Sequence, residues 1–176
     1  MRALILGLGN ALMTDDALGV LAVEELQSRY RFPAGVRVVD GGTLGLDLLP
    51  LLEGVDRLLL VDALQMGAKP GAVFRLAGEE VPRALASKLS VHQMGAQDLL
   101  ALAELRGHLP GELVVWGVQP RSVEVGLKLT PPVAAALDSL LEGILGEVAG
   151  WGLAPRPATG RRSSRDRSVR FPFFAG

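Results

Sequence analysis

The chain has 176 residues, of which 49% are hydrophobic, 21% are charged and none is cysteine, and its formal net charge is −1. A domain of this size buries enough apolar surface to fold without disulfides or a structural metal. The lack of cysteine excludes thiol nucleophiles, disulfide frameworks and Cys-ligated zinc together, so acid, base or metal chemistry is left to Asp, Glu and the two histidines, His92 and His108.

The near-neutral charge conceals an asymmetry. Residues 1–150 hold twelve basic and eighteen acidic side chains, a formal −6, whereas 151–176 hold six arginines and one acid, a formal +5. No uncharged apolar run reaches 18 residues, and Met1-Arg2-Ala3-Leu4-Ile5-Leu6 leads straight into glycines without a small-residue cleavage site. A cytoplasmic protein with neither signal peptide nor membrane span is expected.

In chain order, the apolar run at Leu4–Leu8 ends in glycines, and the runs at Val36–Asp40 and Arg57–Asp62 each end in an acid, which predicts three buried parallel strands. Between them, Leu18, Leu21, Ala22 and Leu26 fall at helical spacing within Asp16–Tyr30, and Leu44–Leu52 repeats the pattern more weakly. After the turn signal Lys69-Pro70-Gly71, Ala72–Leu76 predicts a strand whose short connection favours an antiparallel place at an edge. Met94–Arg106 reads as a helix, Leu113–Val118 as a fifth strand, and Pro131-Pro132 opens a long amphipathic helix to about Val148. The alternation predicts an α/β fold: a three-layer sandwich in which a mostly parallel five-stranded sheet, with one antiparallel strand near its edge, is covered by helices on both faces. Residues 1–151 form the expected domain. Residues 152–176, rich in Pro, Arg and Ser and without period, form a basic tail expected to be disordered and to bind no specific nucleic acid.

Open parallel sheets gather ligand sites at the carboxyl ends of their strands, and the unusual polar residues lie there: Asn10 with Thr14-Asp15-Asp16 after the first strand, Asp40-Gly41-Gly42-Thr43 after the second, Asp62-Ala63 at the third. Gly7-Leu8-Gly9 followed by Asp40 suggests a dinucleotide fingerprint, but Leu12 stands at the third glycine position, and Asp15-Asp16 would repel a pyrophosphate at the helix start. One of these acids could be an N-cap or complement the helix dipole. Acids gathered from several strand ends repel one another unless they share a proton or a cation. His92, read as lying in the loop before a helix, could add an imidazole, and a mixed Asp/His set suits Ni, Zn or Fe more than Ca or Mg. Asp40-Gly41-Gly42 could equally be a turn whose carboxylate caps backbone amides, and His108 reads as a surface residue.

Five separated motifs, Gly7-Leu8-Gly9-Asn10 with Thr14-Asp15-Asp16 and Gly19, Asp40-Gly41-Gly42-Thr43, Val61-Asp62-Ala63, Ser90-Val91-His92-Gln93 and Gly117-Val118-Gln119-Pro120, resemble in content and order the hydrogenase maturation endopeptidases. The resemblance runs from residue 1 to about 150. It implies a twisted, mostly parallel five-stranded sheet between helices and a cytoplasmic peptidase, acting as a monomer. Its implied substrate is the large-subunit precursor of a [NiFe] hydrogenase, from which a C-terminal extension is removed once nickel is in place. Carried over by position, Asp16, Asp62 and His92 are the implied metal-contacting and catalytic residues, with nickel carried by the substrate. Asp16 stands where some relatives have the longer Glu. A nucleotide-binding oxidoreductase and a non-catalytic assembly chaperone are the alternatives.

Overall fold

The computed structural model describes residues 1–86 and 91–158, with the side chains of Arg83, of residues 85–86 and of residues 91–95 outside the description. Its elements are β1 (Ala3–Leu8), α1 (Leu18–Arg29), β2 (Tyr30–Arg31), β3 (Val36–Gly42), α2 (Leu49–Leu52), β4 (Arg57–Ala63), β5 (Val73–Ala77), α3 (Glu80–Ala86), α4 (Val91–Leu105), β6 (Glu112–Val118), α5 (Pro131–Gly150) and β7 (Arg156–Pro157). Single 3-10 turns, Thr14–Ala17 and Gly45–Leu48, lead into α1 and α2.

The main sheet has the order β3-β1-β4-β6-β5. The first four strands are parallel, and β5 closes one edge antiparallel to β6, from Val73 opposite Val118 to Ala77 opposite Val114. This is the expected five-stranded arrangement, with the antiparallel strand at the edge where the short Lys69-Pro70-Gly71 turn puts it.

Strand alternation explains the layers. Ala3, Ile5, Leu59, Val61 and Val114 point to one face, where α1 supplies Ala22, Val23 and Leu26 and α5 supplies Val133, Leu140, Leu141, Ile144 and Val148. Leu4, Leu6, Leu58, Leu60, Leu113 and Val115 point to the other, against Leu52 of α2, Val81 of α3 and Leu99, Leu100 and Ala103 of α4. With apolar partners on both faces the inner strands carry no polar alternation, and β1 is buried at every position. Each fully buried leucine contributes roughly 1.5–3 kcal/mol through burial alone.

Because α1 packs on one face and α2 on the other, the chain leaves β1 toward β3 and then crosses back to β4 on β1's opposite side. Strand order reverses between β1 and β4, and a crevice opens at their carboxyl ends. The approach of α1 is close: a Cβ at Gly19 would lie 2.2 Å from the Leu8 carbonyl oxygen and 2.3 Å from that of Val61. The glycine in the first motif is therefore a packing requirement.

The edge strand β5 is tied across the sheet to α5. Glu147 accepts hydrogen bonds from Arg75 Nε at 2.6 Å and Nη2 at 2.9 Å, and from the Trp116 indole at 3.1 Å. The Arg75 bonds, aided by Trp116 and opposed by burial, hold the Glu147 carboxyl below the ordinary glutamate value. A depressed pKa stabilises the fold above the unfolded-state value, about 4.3, and that contribution is lost as pH falls through the folded-state value. Glu147→Gln is expected to cost about 1 kcal/mol near pH 7, a figure kept small by the exposure of Arg75. The difference from wild type should shrink below pH ~4 in urea titrations; a pH-independent difference would contradict the ion-pair account.

Three features depart from the sequence reading. The segment 80–86 forms α3, which had no apolar period to announce it. Helix α4 begins at Val91, so His92 falls within its first turn and not in the loop before it. The expected tail begins as ordered chain: Leu153 packs on the α1/α5 core, and Arg156–Pro157 pairs antiparallel with Tyr30–Arg31. The remainder, 159–176, lies outside the described residues.

Candidate active site

The loop after β1 turns sharply around a buried acid. Gly9 takes φ +125°, and a Cβ there would stand 1.8 Å from the Asp16 carbonyl oxygen, so only glycine lets the 3-10 turn fold back over the strand end. Asp16 is 2% exposed, and its Oδ2 accepts the Asn10 backbone N–H at 2.9 Å. Its Oδ1 is buried without a hydrogen-bond partner among the described residues. The turn packs against β4, whose penultimate residue is Asp62, also 2% exposed. Two buried carboxylates thus sit on adjoining elements at the strand-order reversal. An ionised carboxylate in such a place is costly unless hydrogen-bond donors, a cation or a shared proton satisfy it, and Asp16 Oδ1, without a hydrogen-bond partner among the described residues, fits an incoming cation.

The Asp16 carboxylate also takes the Asn10 backbone N–H, an amide that this glycine-containing loop would otherwise present to a phosphate.

Asp15 behaves differently from its neighbour and from the helix-cap reading. It makes no cap to α1, and the 3-10 turn has no side-chain cap. Fully buried, it reaches the far loop between β6 and α5, accepting the backbone N–H groups of Arg121 at 2.8 Å, Ser122 at 3.1 Å and Thr130 at 2.7 Å, and the Thr130 hydroxyl at 3.0 and 2.8 Å. Asp40 is exposed, and its Oδ1 accepts the Gly42 N–H at 2.8 Å; it is the backbone-capping turn that the Asp-Gly-Gly sequence allows. His108 is half-buried after α4. Among the described residues no three acidic or imidazole side chains form a metal-holding group, and His92, the expected third member, has its side chain outside the description.

Two residues quoted in the motifs, Gln119 and Thr14, prove to have positioning roles that their place in the sequence did not assign. Gln119, 3% exposed, accepts the N–H groups of Met66 at 2.8 Å and Ala68 at 3.2 Å through Oε1, and donates to Gln65 Oε1 and the Pro120 carbonyl through Nε2. It fixes the chain that leaves Asp62. Thr14 has φ +42°, unfavourable for a branched residue by on the order of 1–3 kcal/mol, and its hydroxyl donates to the carbonyls of Ser122 at 2.7 Å and Glu124 at 3.0 Å. The signal available in the sequence was weak: a lone Gln next to Pro120 at a strand end, and a Thr beside two acids.

These loops carry exposed apolar side chains: Leu12, Leu44, Leu46 and Met66 at 39–59% exposure, and Val123, Val125 and Leu127 at 46, 84 and 68%. All follow strands whose carboxyl ends surround the two carboxylates.

The chain is a doubly wound α/β domain with two buried carboxylates at its switch point and no cysteine. The family model described as hydrogenase maturation protease matches residues 20–147. The chain is 40% identical over 158 residues to the hydrogenase 2 maturation protease of Escherichia coli, covering 89% of this chain and 96% of that one. It is 42% identical over 175 residues to the hydrogenase expression/formation protein HoxM of Azotobacter vinelandii, covering 98% and 83%. The solved structure of the hydrogenase maturating endopeptidase HybD from E. coli superposes with a TM-score of 0.86 over 89% of this chain and 98% of that chain. That of the [NiFe] hydrogenase maturation protease HybD from Thermococcus kodakarensis, 33% identical, gives 0.70 over 85% and 99%. The chain belongs to the hydrogenase maturation protease family, and it is a peptidase. No helix among the described residues is long and apolar enough to cross a membrane.

Proposed function

We propose that this peptidase removes the C-terminal extension from the large-subunit precursor of a [NiFe] hydrogenase in the cytoplasm, and that it recognises the nickel already inserted in that substrate through Asp16, Asp62 and His92. The observation that carries the reading is Asp16 Oδ1, a buried carboxylate oxygen without a hydrogen-bond partner among the described residues, on an element packed against the strand of Asp62. Family membership supports the class of reaction and substrate.

Two carboxylates and one imidazole leave coordination positions open for groups of the substrate. Nickel in the substrate then serves as the recognition element, and its charge favours the ionised form of both acids. Hydrolysis also needs a water placed against the scissile carbonyl and a base to take its proton, a role open to a carboxylate of this set. Without cysteine, a thiol acyl-enzyme is excluded.

Mass spectrometry of the precursor after incubation with the enzyme tests the reading. The expected result is loss of the C-terminal extension from nickel-loaded precursor and an intact mass for nickel-free precursor. Cleavage independent of nickel would overturn metal recognition. Binding without cleavage would favour an assembly chaperone. His92→Ala is expected to leave the loaded precursor essentially uncut, and processing near the wild-type rate would remove His92 from the site.

A further inference from the structure

The connection between β6 and α5 is an unusual loop. Three of five consecutive residues, Val123, Val125 and Leu127, are exposed apolar side chains, in a position where a surface loop is ordinarily polar. Their exposure is not looseness. The Thr14 N–H donates to the Gly126 carbonyl at 2.8 Å, the Gly126 N–H to the Leu12 carbonyl at 2.9 Å, and the Asp15 N–H to the Ser122 carbonyl at 3.1 Å. A Cβ at Gly126 would lie 2.6 Å from Thr14 Cγ2, so the two chains are in direct contact. Asp15 clamps both ends of the loop, at Arg121-Ser122 and at Thr130. The anchor of the apolar loop is therefore the pair of residues immediately before Asp16. A rigid, apolar, solvent-facing loop spliced to the turn that carries the site acid needs a partner, and the polypeptide that must reach Asp16 is the substrate.

We propose that Val123, Val125 and Leu127 determine specificity by docking an apolar surface of the precursor beside the scissile segment, and that Asp15 is the positioning residue that holds them in register with Asp16. The proposal rests on the processing reading above and adds to it a contact made away from the nickel. Apolar contacts of this kind bind substrate and transition state alike, so they act on KM and leave kcat unchanged.

Steady-state processing of nickel-loaded, full-length precursor by the full chain supplies the test. Val125→Asp and Leu127→Asp are expected to raise KM about tenfold, the scale of losing one well-packed contact, with kcat within twofold of wild type. Val125→Leu, which keeps the apolar contact, should retain the wild-type KM. Melting temperatures should match wild type, because both side chains lie mostly in solvent. Asp15→Asn, which preserves shape but weakens the clamp, should raise KM more than it lowers kcat. If the wild-type protein cuts the precursor and the Val125→Asp and Leu127→Asp proteins cut it with unchanged KM, the docking loop is refuted while the function stands. If the wild-type protein leaves the loaded precursor intact, the function fails first and the inference with it.

Discussion

The Asp16→Asn protein is expected to process nickel-loaded precursor at least about a hundredfold more slowly than wild type, the scale of losing one charge-stabilising group at a reacting centre, while melting at or above the wild-type temperature. The reason lies in how the acid is held. Asp16 is 2% exposed, one oxygen accepts the Asn10 amide and the other has no partner among the described residues. A buried charge satisfied on one side only is unfavourable for folding, and the amide of Asn keeps the bond to Asn10 while removing the charge. The proposed role of Asp16 in nickel recognition predicts this combination of lost activity and unimpaired stability. Parallel kinetic and thermal measurements check this, and a melting temperature several degrees below wild type would show that the charge holds the fold together.

The neighbouring residue should respond in the opposite sense. Asp15→Ala is expected to destabilise the protein by about 3–5 kcal/mol, because three backbone N–H groups and a hydroxyl lose a common buried acceptor. For a chain of this size that corresponds to a fall in melting temperature on the order of 10 °C. Asp15→Asn should lose less, since one oxygen remains as an acceptor. Chemical unfolding of the three proteins gives the ranking directly; an Asp15→Ala protein as stable as wild type would mean that the β6–α5 loop is held by other contacts. Two adjacent aspartates, one expected to stabilise the fold and the other to weaken it, differ in how their oxygens are filled: both of Asp15's accept donors, whereas among the described residues only Oδ2 of Asp16 does.

The architecture was legible wherever burial writes a period into the chain. Leu4–Leu8 and Arg57–Asp62 are apolar at nearly every position because helices cover both faces of the sheet. Each observed strand extends its span by one residue, at Ala3 and at Ala63. Pro131-Pro132 marked the start of α5 because proline's missing N–H is harmless in a first turn. Helix α3 gave no such signal: it is seven residues long and begins Glu80-Val81-Pro82, and the buried residues among its described side chains, Val81 and Ala84, lie a single turn apart. The pairing of β2 with β7 was equally silent, since two-residue strands at positions 30–31 and 156–157 are joined by contact across the chain and by no local pattern.

For the site, the order of residues already gives the inventory: no thiol, two imidazoles, and acids at or near the ends of three apolar strands. The contacts each acid makes come from the folded arrangement. Asp15, Asp16, Asp40 and Asp62 are alike in charge and in lying at or shortly after the carboxyl end of a strand. Yet Asp40 caps its own turn, Asp15 clamps a loop more than a hundred residues away, and Asp16 and Asp62 are buried on packed elements at the strand-order reversal. Spacing along a chain reports the period of burial, which is local. The role of a carboxylate depends on which donors surround its oxygens, and those donors come from loops that only the folded sheet brings together.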